Sequence, residues 1–341
     1  MLLGGKDRAL KFPLPAVVCD VGGTNVRCAR KDSATADVVH IASLKTHDFP
    51  GLAEAVAAAL GPSSPKVRSV IACGAGPVVG RALKLTNAPW MIDGPQVAER
   101  LGLEQGLLLN DFEAQALSLP TIPDAWLRRI GPVTPEPAGT RLILGPGTGL
   151  GIGALLDVEG RFIPVASEAC HIDFGPYTPA EAALWPHLER VHGRVTTESV
   201  MAGPGLPRLH RARLAAIGKS AGASVDGVAI VEHALADRAS EEAETISALW
   251  QLIGRFAGDM AIAFCATGGV TLAGGILPRI VDLVDPVAFR MAFEAKAPVD
   301  ALARRIATQL VMEPDSVLVG MAAIAAEPAR YVIDYHTRLW R

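Results

Sequence analysis

Residues 16–30 read AVVCDVGGTNVRCAR, and this stretch decides the fold of the first part of the chain. The apolar run Ala16–Val21 predicts a buried strand, and the alternating residues after Asn25 predict a returning strand. Between them, the turn Gly22–Asn25 is richer in glycine than a hairpin connection requires. The stretch therefore predicts two strands joined by a turn whose glycines have a role beyond connecting the strands.

The same pattern occurs again in the second part of the chain. Arg141–Leu144 is a short apolar run, Gly145–Gly153 reads GPGTGLGIG, and the strand ALLDV follows at 154–158. Two copies are too few for a repeat array, so the recurrence predicts two related α/β lobes. A proline-rich stretch, Pro120–Pro137, is the predicted boundary between them.

We expect the lobes to divide the chain unevenly. Residues 1–121 should form a small lobe that is completed by residues 316–341, and residues 122–315 should form a large lobe. Further predicted elements are a helix over 51–60, strands over 67–73 and from 83, a strand over 107–110 leading into a helix over 112–120, a helix over 241–266 capped by Ser240, and a strand over 270–273.

The composition is that of a globular protein. Of 341 residues, 50% are hydrophobic and 20% are charged, so packed cores are expected and general disorder is not. The formal net charge is -3, with 32 basic and 35 acidic side chains interspersed. This balance disfavours nucleic acid or an anionic membrane as the main partner.

Five scattered cysteines indicate a reducing environment, in which buried thiols behave as small apolar side chains. They include no CxxC pair and no clustered Cys/His set, so we expect no structural zinc. The N-terminal residues lack the apolar segment of a signal peptide, and no apolar run approaches the roughly 20 residues that span a bilayer. The protein is expected to be soluble and cytoplasmic.

Three Gly-rich turns follow apolar strands, and each has two explanations. Glycines permit positive φ in tight turns, which is reason enough for any one of them. Consecutive backbone N–H groups also form an anion site, and in two of the turns a threonine hydroxyl adds a further donor. Together the turns suit a nucleotide whose phosphates are held between two lobes, with the third turn letting an adenosine lie close to the backbone. Asp20, at the end of its strand, could reach the accompanying metal ion. The candidate nucleotide-binding residues are Gly22, Gly23, Thr24, Asn25, Gly147, Thr148, Gly149, Gly274 and Gly275.

Two other nucleotide motifs are excluded by their spacing. The loop at Gly145 never forms GxGxxG, so the dinucleotide fingerprint is absent. GKS at Gly218–Ser220 lacks the P-loop glycine, because Arg213 stands five positions before Gly218.

A second set of polar residues suits a hydroxyl-rich substrate. Glu168 and His171 lie three positions apart, and Glu198 precedes a Gly-Pro-Gly turn. Asn110 follows the leucines of a predicted strand and is itself followed by Asp111, a carboxylate with no evident partner. Carboxylates accept hydrogen bonds from vicinal hydroxyls, while an imidazole or an amide donates or accepts. A single histidine is more often structural, but with these carboxylates and Asn110 it would complete a sugar pocket.

Seven motifs, taken in order, resemble those of the bacterial ATP-dependent glucokinases, zinc-free members of the hexokinase-like, actin-type ATPase superfamily. They run from Asp20 to about Arg279, with a weaker match near the C-terminus. The motifs are DVGGTNVR, LTNAPW, LLLNDFEAQALSLP, GPGTGLGIG, EACHIDFGP, ESVMAGPGL and LAGGILPRI.

The resemblance implies a fold, an activity and a site. The fold is the two-lobed actin-like ATPase (ribonuclease H-like) α/β fold with an interlobe cleft, and members commonly form homodimers. The activity is phosphorylation of glucose at its 6-hydroxyl, with ATP and Mg²⁺ as cofactors and Asp111 as the catalytic base. The implied sugar-binding residues are Asn87, Asn110, Asp111, Glu168, His171 and Glu198.

This chain departs from the family pattern around the sugar-binding glutamate. The family usually has GEGGH there, whereas this chain has Ser167, Ala169 and Cys170 in place of the glycines. Mannose, fructose or an N-acetylhexosamine therefore stays open as the preferred acceptor. A sugar-sensing regulator is disfavoured, because only about 15 residues precede the first strand and no DNA-binding helix-turn-helix fits there.

Overall fold

The computed structural model describes residues 11–136, 138–221 and 225–341. The N-terminal residues 1–10, for which no signal peptide is expected, and Pro137, at the end of the predicted boundary, lie outside the described residues.

The described residues form both strands and helices, several of them in consecutive runs of one type. The strands are β1 Ala16–Val21, β2 Asn25–Lys31, β3 Val38–Lys45, β4 Ser69–Gly74, β5 Val78–Val79, β6 Ala82–Lys84, β7 Met91–Asp93, β8 Gln105–Asn110, β9 Leu127–Arg129, β10 Arg141–Pro146, β11 Leu150–Val158, β12 Arg161–Ser167, β13 Val270–Leu272 and β14 Thr308–Val311. The helices are α1 Leu52–Leu60, α2 Gly94–Leu101, α3 Asp111–Ser118, α4 Pro179–Leu184, α5 Thr197–Met201, α6 Gly205–Ala216, α7 Gly227–Ala236, α8 Glu241–Ala263, α9 Pro286–Glu294, α10 Asp300–Arg305, α11 Ser316–Ala326 and α12 Tyr335–Arg338.

Elements that depend on local sequence follow the predictions closely. Strand β1 has the predicted bounds, and Ser240 caps α8 by accepting a hydrogen bond from the Ala243 N–H. The predicted turn over 145–153 was too long, because β10 extends to Pro146 and β11 begins at Leu150. Pairing with neighbouring strands, rather than glycine content, sets how far these strands extend.

Two sheets have the same strand order. The first is β3-β2-β1-β4-β8, and the second is β12-β11-β10-β13-β14 with β9 added at its edge. In the first, β1 pairs antiparallel with β2 and parallel with β4, and β4 pairs parallel with β8. In the second, β10, β13 and β14 are parallel. The common order agrees with two related α/β lobes, as the recurring sequence pattern predicted.

The proline-rich stretch is more than a linker. It contains β9, which pairs antiparallel with β14 through partners such as Leu310 and Arg128. The expectation of a simple boundary missed this strand, because the pairing joins residues almost 200 positions apart and leaves no local signal.

The chain divides into two compact units. Of the described residues, those within 11–123, 155–165 and 315–341 form unit 1, and those within 124–154 and 166–314 form unit 2. The predicted large lobe included residues 155–165, whereas these lie in unit 1. The reason is packing, since Leu155 and Phe162 belong to the same buried cluster as Val18 and Leu318.

The C-terminal segment supports the strand that leads to Asp111. Trp340 is fully buried, and its backbone exchanges two hydrogen bonds of 3.1 Å with Gly106 in β8. Arg338 donates from one Nη to both carboxylate oxygens of Glu113, at 2.6 and 2.7 Å, on the first turn of α3. Burial of a tryptophan stabilises a fold by several kcal/mol, so this segment fixes the position of β8 and α3.

Among the described residues, no helix is both long and apolar enough to cross a membrane.

Candidate active site

One edge of the first sheet collects polar residues of unit 1. Strands β1, β4 and β8 are parallel, so their carboxyl ends meet at the same edge. In the register, Val21 lies opposite Gly74, and Gly74 lies opposite Asn110. The sheet therefore brings Asp20 of β1 to the edge from which Asn110 and Asp111 leave β8.

Asn110 forms a capping box at the start of α3. Its Oδ1 accepts from the N–H groups of Phe112 and Glu113, at 3.0 and 3.2 Å, and the Glu113 carboxylate accepts from the Asn110 N–H. Its Nδ2 donates to the Gly76 carbonyl at 3.1 Å. An amide has two donor hydrogens, and the second bonds to the neighbouring Asp111 carboxylate. Asp111 is thereby held at the first helical position.

The carboxyl group of Asp111 is partly buried. Burial raises its pKa from 3.8 to about 6, and the negative charge of Asp20 adds to the rise. Hydrogen bonds from the backbone of Phe112 and from Asn110 act in the opposite direction without cancelling the effect of burial. A carboxylate with a pKa near 6 is ionised at neutral pH and takes up a proton more readily than an ordinary aspartate.

Asp20 has two neighbours that sequence analysis missed. Arg27 forms an ion pair with its Oδ2, and the thiol of Cys73 lies 3.5 Å from its Oδ1. Arg27 also lies 3.6 Å from Asp315. The ion pair with Arg27 could have been predicted from the register of the β1–β2 hairpin, because Asp20 and Arg27 lie directly opposite each other in it.

The turn Gly22–Asn25 is tightly closed. The Gly22 N–H donates to the Asn25 carbonyl at 2.9 Å. Gly23 lies against Asn87, since a Cβ on Gly23 would come within 2.7 Å of the Asn87 carbonyl oxygen. Thr24 and Asn87 are both exposed. The close approach explains the glycine and places the sugar-binding candidate Asn87 beside this turn.

In unit 2, the turn Gly147–Gly149 is held on both sides. The Gly147 N–H donates to the Gly149 carbonyl at 2.7 Å, and the Gly203 N–H donates to the Gly147 carbonyl at 2.8 Å. Glu198 accepts from the Leu150 N–H at 2.9 Å. The Thr148 hydroxyl is left exposed at the tip of the turn.

Gly274 follows β13 beside this turn. Its φ is +95°, and a Cβ would lie 2.2 Å from the Pro146 carbonyl oxygen, so both backbone conformation and space require glycine. Gly275 is exposed, and no atom of the described residues lies within 4 Å of the position that a Cβ would take there. A flat group could therefore approach this backbone closely.

The predicted sugar-binding carboxylates of unit 2 flank His171. Its Nε2 lies 3.4 Å from a Glu168 oxygen, and its Nδ1 lies 3.7 Å from a Glu198 oxygen. The side chain of Glu168 is 87% exposed, that of His171 52% and that of Glu198 33%. Glu198 comes from the first turn of α5, 27 positions after His171, so only the fold brings the three together.

Cys170 lies beneath this group. The residue is buried, and its carbonyl accepts from the Thr197 hydroxyl at 2.6 Å. Its Sγ, a Glu168 oxygen and a His171 nitrogen all lie within 4.8 Å of one another. The short helical turn over 169–171 brings these three neighbours in sequence close together, and the absence of structural zinc stays a prediction.

The candidate residues fall into two groups, one in each unit. Unit 1 contains Asp20, Gly22, Gly23, Thr24, Asn25, Asn87, Asn110 and Asp111, and unit 2 contains Gly147, Thr148, Gly149, Glu168, His171, Glu198, Gly274 and Gly275.

Comparison with solved structures defines the class of protein. The glucokinase from an Antarctic psychrotroph superposes with a TM-score of 0.80 at 28% identity, covering 91% of this chain and 98% of that one. A ROK family glucokinase from Streptomyces griseus, in complex with glucose and AMPPNP, gives a TM-score of 0.61 at 19% identity, covering 91% and 99%. The fold is that of the actin-like ATPases in its sugar kinase form, which confirms the predicted fold class.

Comparison of sequences defines the family. The family model for glucokinase matches residues 17–328. The glucokinase of Rhizobium meliloti (strain 1021) is 40% identical over 331 residues, which is 97% of this chain and 97% of that protein. The chain belongs to the glucokinase family. The resemblance drawn from the seven motifs is confirmed, and the protein is an enzyme of the sugar kinase class.

Proposed function

We propose that this protein transfers the γ-phosphoryl group of Mg-ATP to the 6-hydroxyl of glucose, with Asp111 as the general base. The observation that carries the proposal is the position of Asp111. It is a carboxyl group with a pKa of about 6, held by a capping box at the sheet edge that also carries Asp20 and the Gly22–Asn25 turn. Membership of the glucokinase family supports glucose as the acceptor.

Different residues of this chain bind the sugar and accept its proton. Glu168, His171 and Glu198 bind the sugar hydroxyls, and Asn110, next to Asp111, contacts another. Asp111 accepts the proton of the 6-hydroxyl as that oxygen bonds to the γ-phosphorus. The bond from this phosphorus to the β–γ bridging oxygen breaks, and ADP leaves with its electron pair. The products are glucose 6-phosphate and ADP.

The nucleotide and its metal ion fit the residues present. The turns Gly22–Asn25 and Gly147–Gly149 each present backbone beside an exposed threonine hydroxyl, as phosphate sites do. Gly275 leaves open space for the adenosine. Within the part of the chain that the structure describes, Asp20 Oδ1 accepts only from a weak thiol donor, so this oxygen would be able to hold a water molecule of hydrated Mg²⁺. Mg²⁺ supplies charge neutralisation on the phosphate oxygens.

Another hexose is the second candidate acceptor. Ser167 accepts from the Ala169 N–H at 3.2 Å, and Cys170 adds a buried side chain beside Glu168, where the family usually has glycine. These side chains change the shape of the sugar site, so mannose, fructose and N-acetylglucosamine belong in the first assay.

A coupled assay of ADP release tests the proposal. The purified chain is given Mg-ATP and each hexose in turn, and the product is offered to glucose-6-phosphate dehydrogenase to identify the 6-phosphate. We expect the highest kcat/KM with glucose. A higher kcat/KM with another hexose would transfer the assignment to that sugar, and no sugar-dependent ADP release from any hexose would overturn it.

The proposal includes a homodimer in the cytoplasm, as the resemblance to the family implies. Five free cysteines support a reducing compartment. Sedimentation equilibrium of the purified chain and fractionation of the source cells test the two statements, and a monomer or a secreted protein would contradict them.

A further inference from the structure

Three side chains of different chemistry converge in unit 2. One oxygen of Glu168, the Sγ of Cys170 and one nitrogen of His171 lie within 4.8 Å of one another. Glu168 and His171 reach this space from the solvent side, and Cys170 closes it from the buried side. Oxygen, sulfur and nitrogen donors therefore face a single point that is open to solvent on one side.

These donors match the preferences of zinc. Zinc in proteins takes thiolate, imidazole and carboxylate ligands at roughly 2.0–2.3 Å in a tetrahedral arrangement. Three ligands this close can reach such distances through small side-chain rotations, with a fourth position left for water. We propose that Glu168, Cys170 and His171 form a site for an exchangeable thiophilic divalent cation, Zn²⁺ being the expected ion.

His171 also lies near a second carboxylate, that of Glu198. When one ring nitrogen of a histidine binds a metal, the other usually donates to a carboxylate or a carbonyl. Here Nε2 faces Glu168, and Nδ1 lies 3.7 Å from a Glu198 oxygen. Glu198 is itself held by the Leu150 N–H at 2.9 Å, so it provides a fixed acceptor.

Cys170 is the residue that distinguishes this site. Its side chain is buried, and its Sγ is the third donor within 4.8 Å of the Glu168 oxygen and the His171 nitrogen. Zinc binds a cysteine as thiolate, so binding would release the thiol proton to solvent. Glu168 and His171 without Cys170 would offer only two ligands.

The site has a consequence for the sugar, and this step rests on the proposed function. Glu168 and His171 are proposed to bind sugar hydroxyls, and they cannot bind a metal ion in the same geometry. Zinc and glucose should therefore exclude each other. Zinc is then a competitive inhibitor, and Mg²⁺, which prefers oxygen ligands, does not replace it.

The test measures metal binding directly. The protein is first freed of metal with a chelator, and nucleotide is left out. Zn²⁺ binding is measured by calorimetry, and Co²⁺ binding by its sulfur-to-metal charge-transfer band in the ultraviolet. Cys170→Ala and Cys170→Ser are compared with Cys265→Ala, which removes the exposed cysteine and serves as the matched control.

We expect one zinc ion per chain, about 100-fold weaker binding in both Cys170 variants, and no change in Cys265→Ala. Glucose should weaken zinc binding in proportion to its concentration, and zinc should raise the KM for glucose without lowering kcat. Equal zinc affinity in the wild type and both Cys170 variants would overturn the metal site.

The two proposals can fail separately. Cys170-dependent zinc binding in a chain without sugar kinase activity would support the metal site and contradict the proposed function. Cys170-dependent zinc binding that glucose does not affect would overturn the competition while leaving kinase activity to its own assay.

Discussion

The two groups of candidate residues are built in opposite ways. In unit 1, Asn110 is engaged by the backbone of α3, Asp20 is paired with Arg27, and Asp111 is partly buried with a raised pKa. In unit 2, Glu168 and His171 are largely exposed and face one another at 3.4 Å. A proton acceptor works best with a pKa near the working pH, and burial together with the Asp20 charge raises the pKa of Asp111 in that direction. Groups that bind sugar hydroxyls need only to accept or donate hydrogen bonds, which exposed side chains can do without a shift in pKa.

The largest expected effect is that of replacing Asp111, the proposed proton acceptor in unit 1. Asp111→Asn keeps the shape of the side chain but removes the proton acceptor, so kcat should fall by about 10²–10⁴-fold while the dissociation constant for glucose stays nearly unchanged. Steady-state kinetics and calorimetry measure the two quantities. Asp93→Asn, at the cap of α2, is the matched control and should keep normal kcat. Near-normal turnover of Asp111→Asn would remove Asp111 as the base.

The same variant should be more stable than the wild type at neutral pH. The folded protein binds the Asp111 proton more tightly than the unfolded chain, since the pKa is about 6 rather than 3.8. The free energy of unfolding therefore falls as pH rises from about 4 to about 6, by up to about 3 kcal/mol. Asparagine does not ionise, so Asp111→Asn should recover this stability at pH values above that window.

Urea denaturation of wild type and Asp111→Asn, in parallel at about pH 4 and about pH 7.5, measures the difference. The stabilisation should be present at the higher pH and absent at the lower one. Glu168→Gln serves as the comparison and should change stability by less than about 0.5 kcal/mol, because Glu168 is exposed. Equal stability of Asp111→Asn and wild type at both pH values would contradict a buried carboxyl group.

A smaller effect, on the KM for the sugar, is expected from replacing the exposed Glu168 of unit 2. Glu168→Gln weakens the charge-assisted hydrogen bonds to vicinal hydroxyls, so the KM for the sugar should rise by about tenfold to a hundredfold with a smaller change in kcat. Asp173→Asn is the matched control, because Asp173 is 72% exposed and paired with Arg194 instead. Michaelis–Menten kinetics over a range of glucose concentrations measures both. If Glu168→Gln leaves KM unchanged, Glu168 does not bind the sugar.

The smallest effect concerns the coupling between Asp20 and Asp111. The base must be ionised, so kcat/KM should fall tenfold per unit as pH drops below about 6. Asp20→Asn removes a charge that raises the pKa of Asp111, so the midpoint of this acid limb should move down by less than about one unit. Asp32→Asn, whose carboxylate is paired with Arg30, is the control and should leave the midpoint in place. An upward shift in Asp20→Asn would contradict the coupling.

Much of the fold could be predicted because its signals are local. The bounds of β1 follow from an apolar run ended by glycines, and the start of α8 follows from the cap at Ser240. The recurrence of strand, Gly-rich turn and strand predicted two related lobes, and the two sheets share one strand order. Strand β9 and the assignment of residues 155–165 to unit 1 escaped prediction, because both depend on contacts between distant parts of the chain.

By itself, the sequence determined the family, the order of the strands and turns, and the identity of the residues that stand at the strand ends. Those properties are encoded in short stretches, whose periodicity and capping groups act over a few residues. The tertiary structure alone decided the environment of those residues. It buried Asp111 and raised its pKa, and it brought Glu198 to His171 across 26 intervening positions. It also placed the Sγ of Cys170 within 4.8 Å of a Glu168 oxygen and a His171 nitrogen, because burial and distance are set only when the chain has packed.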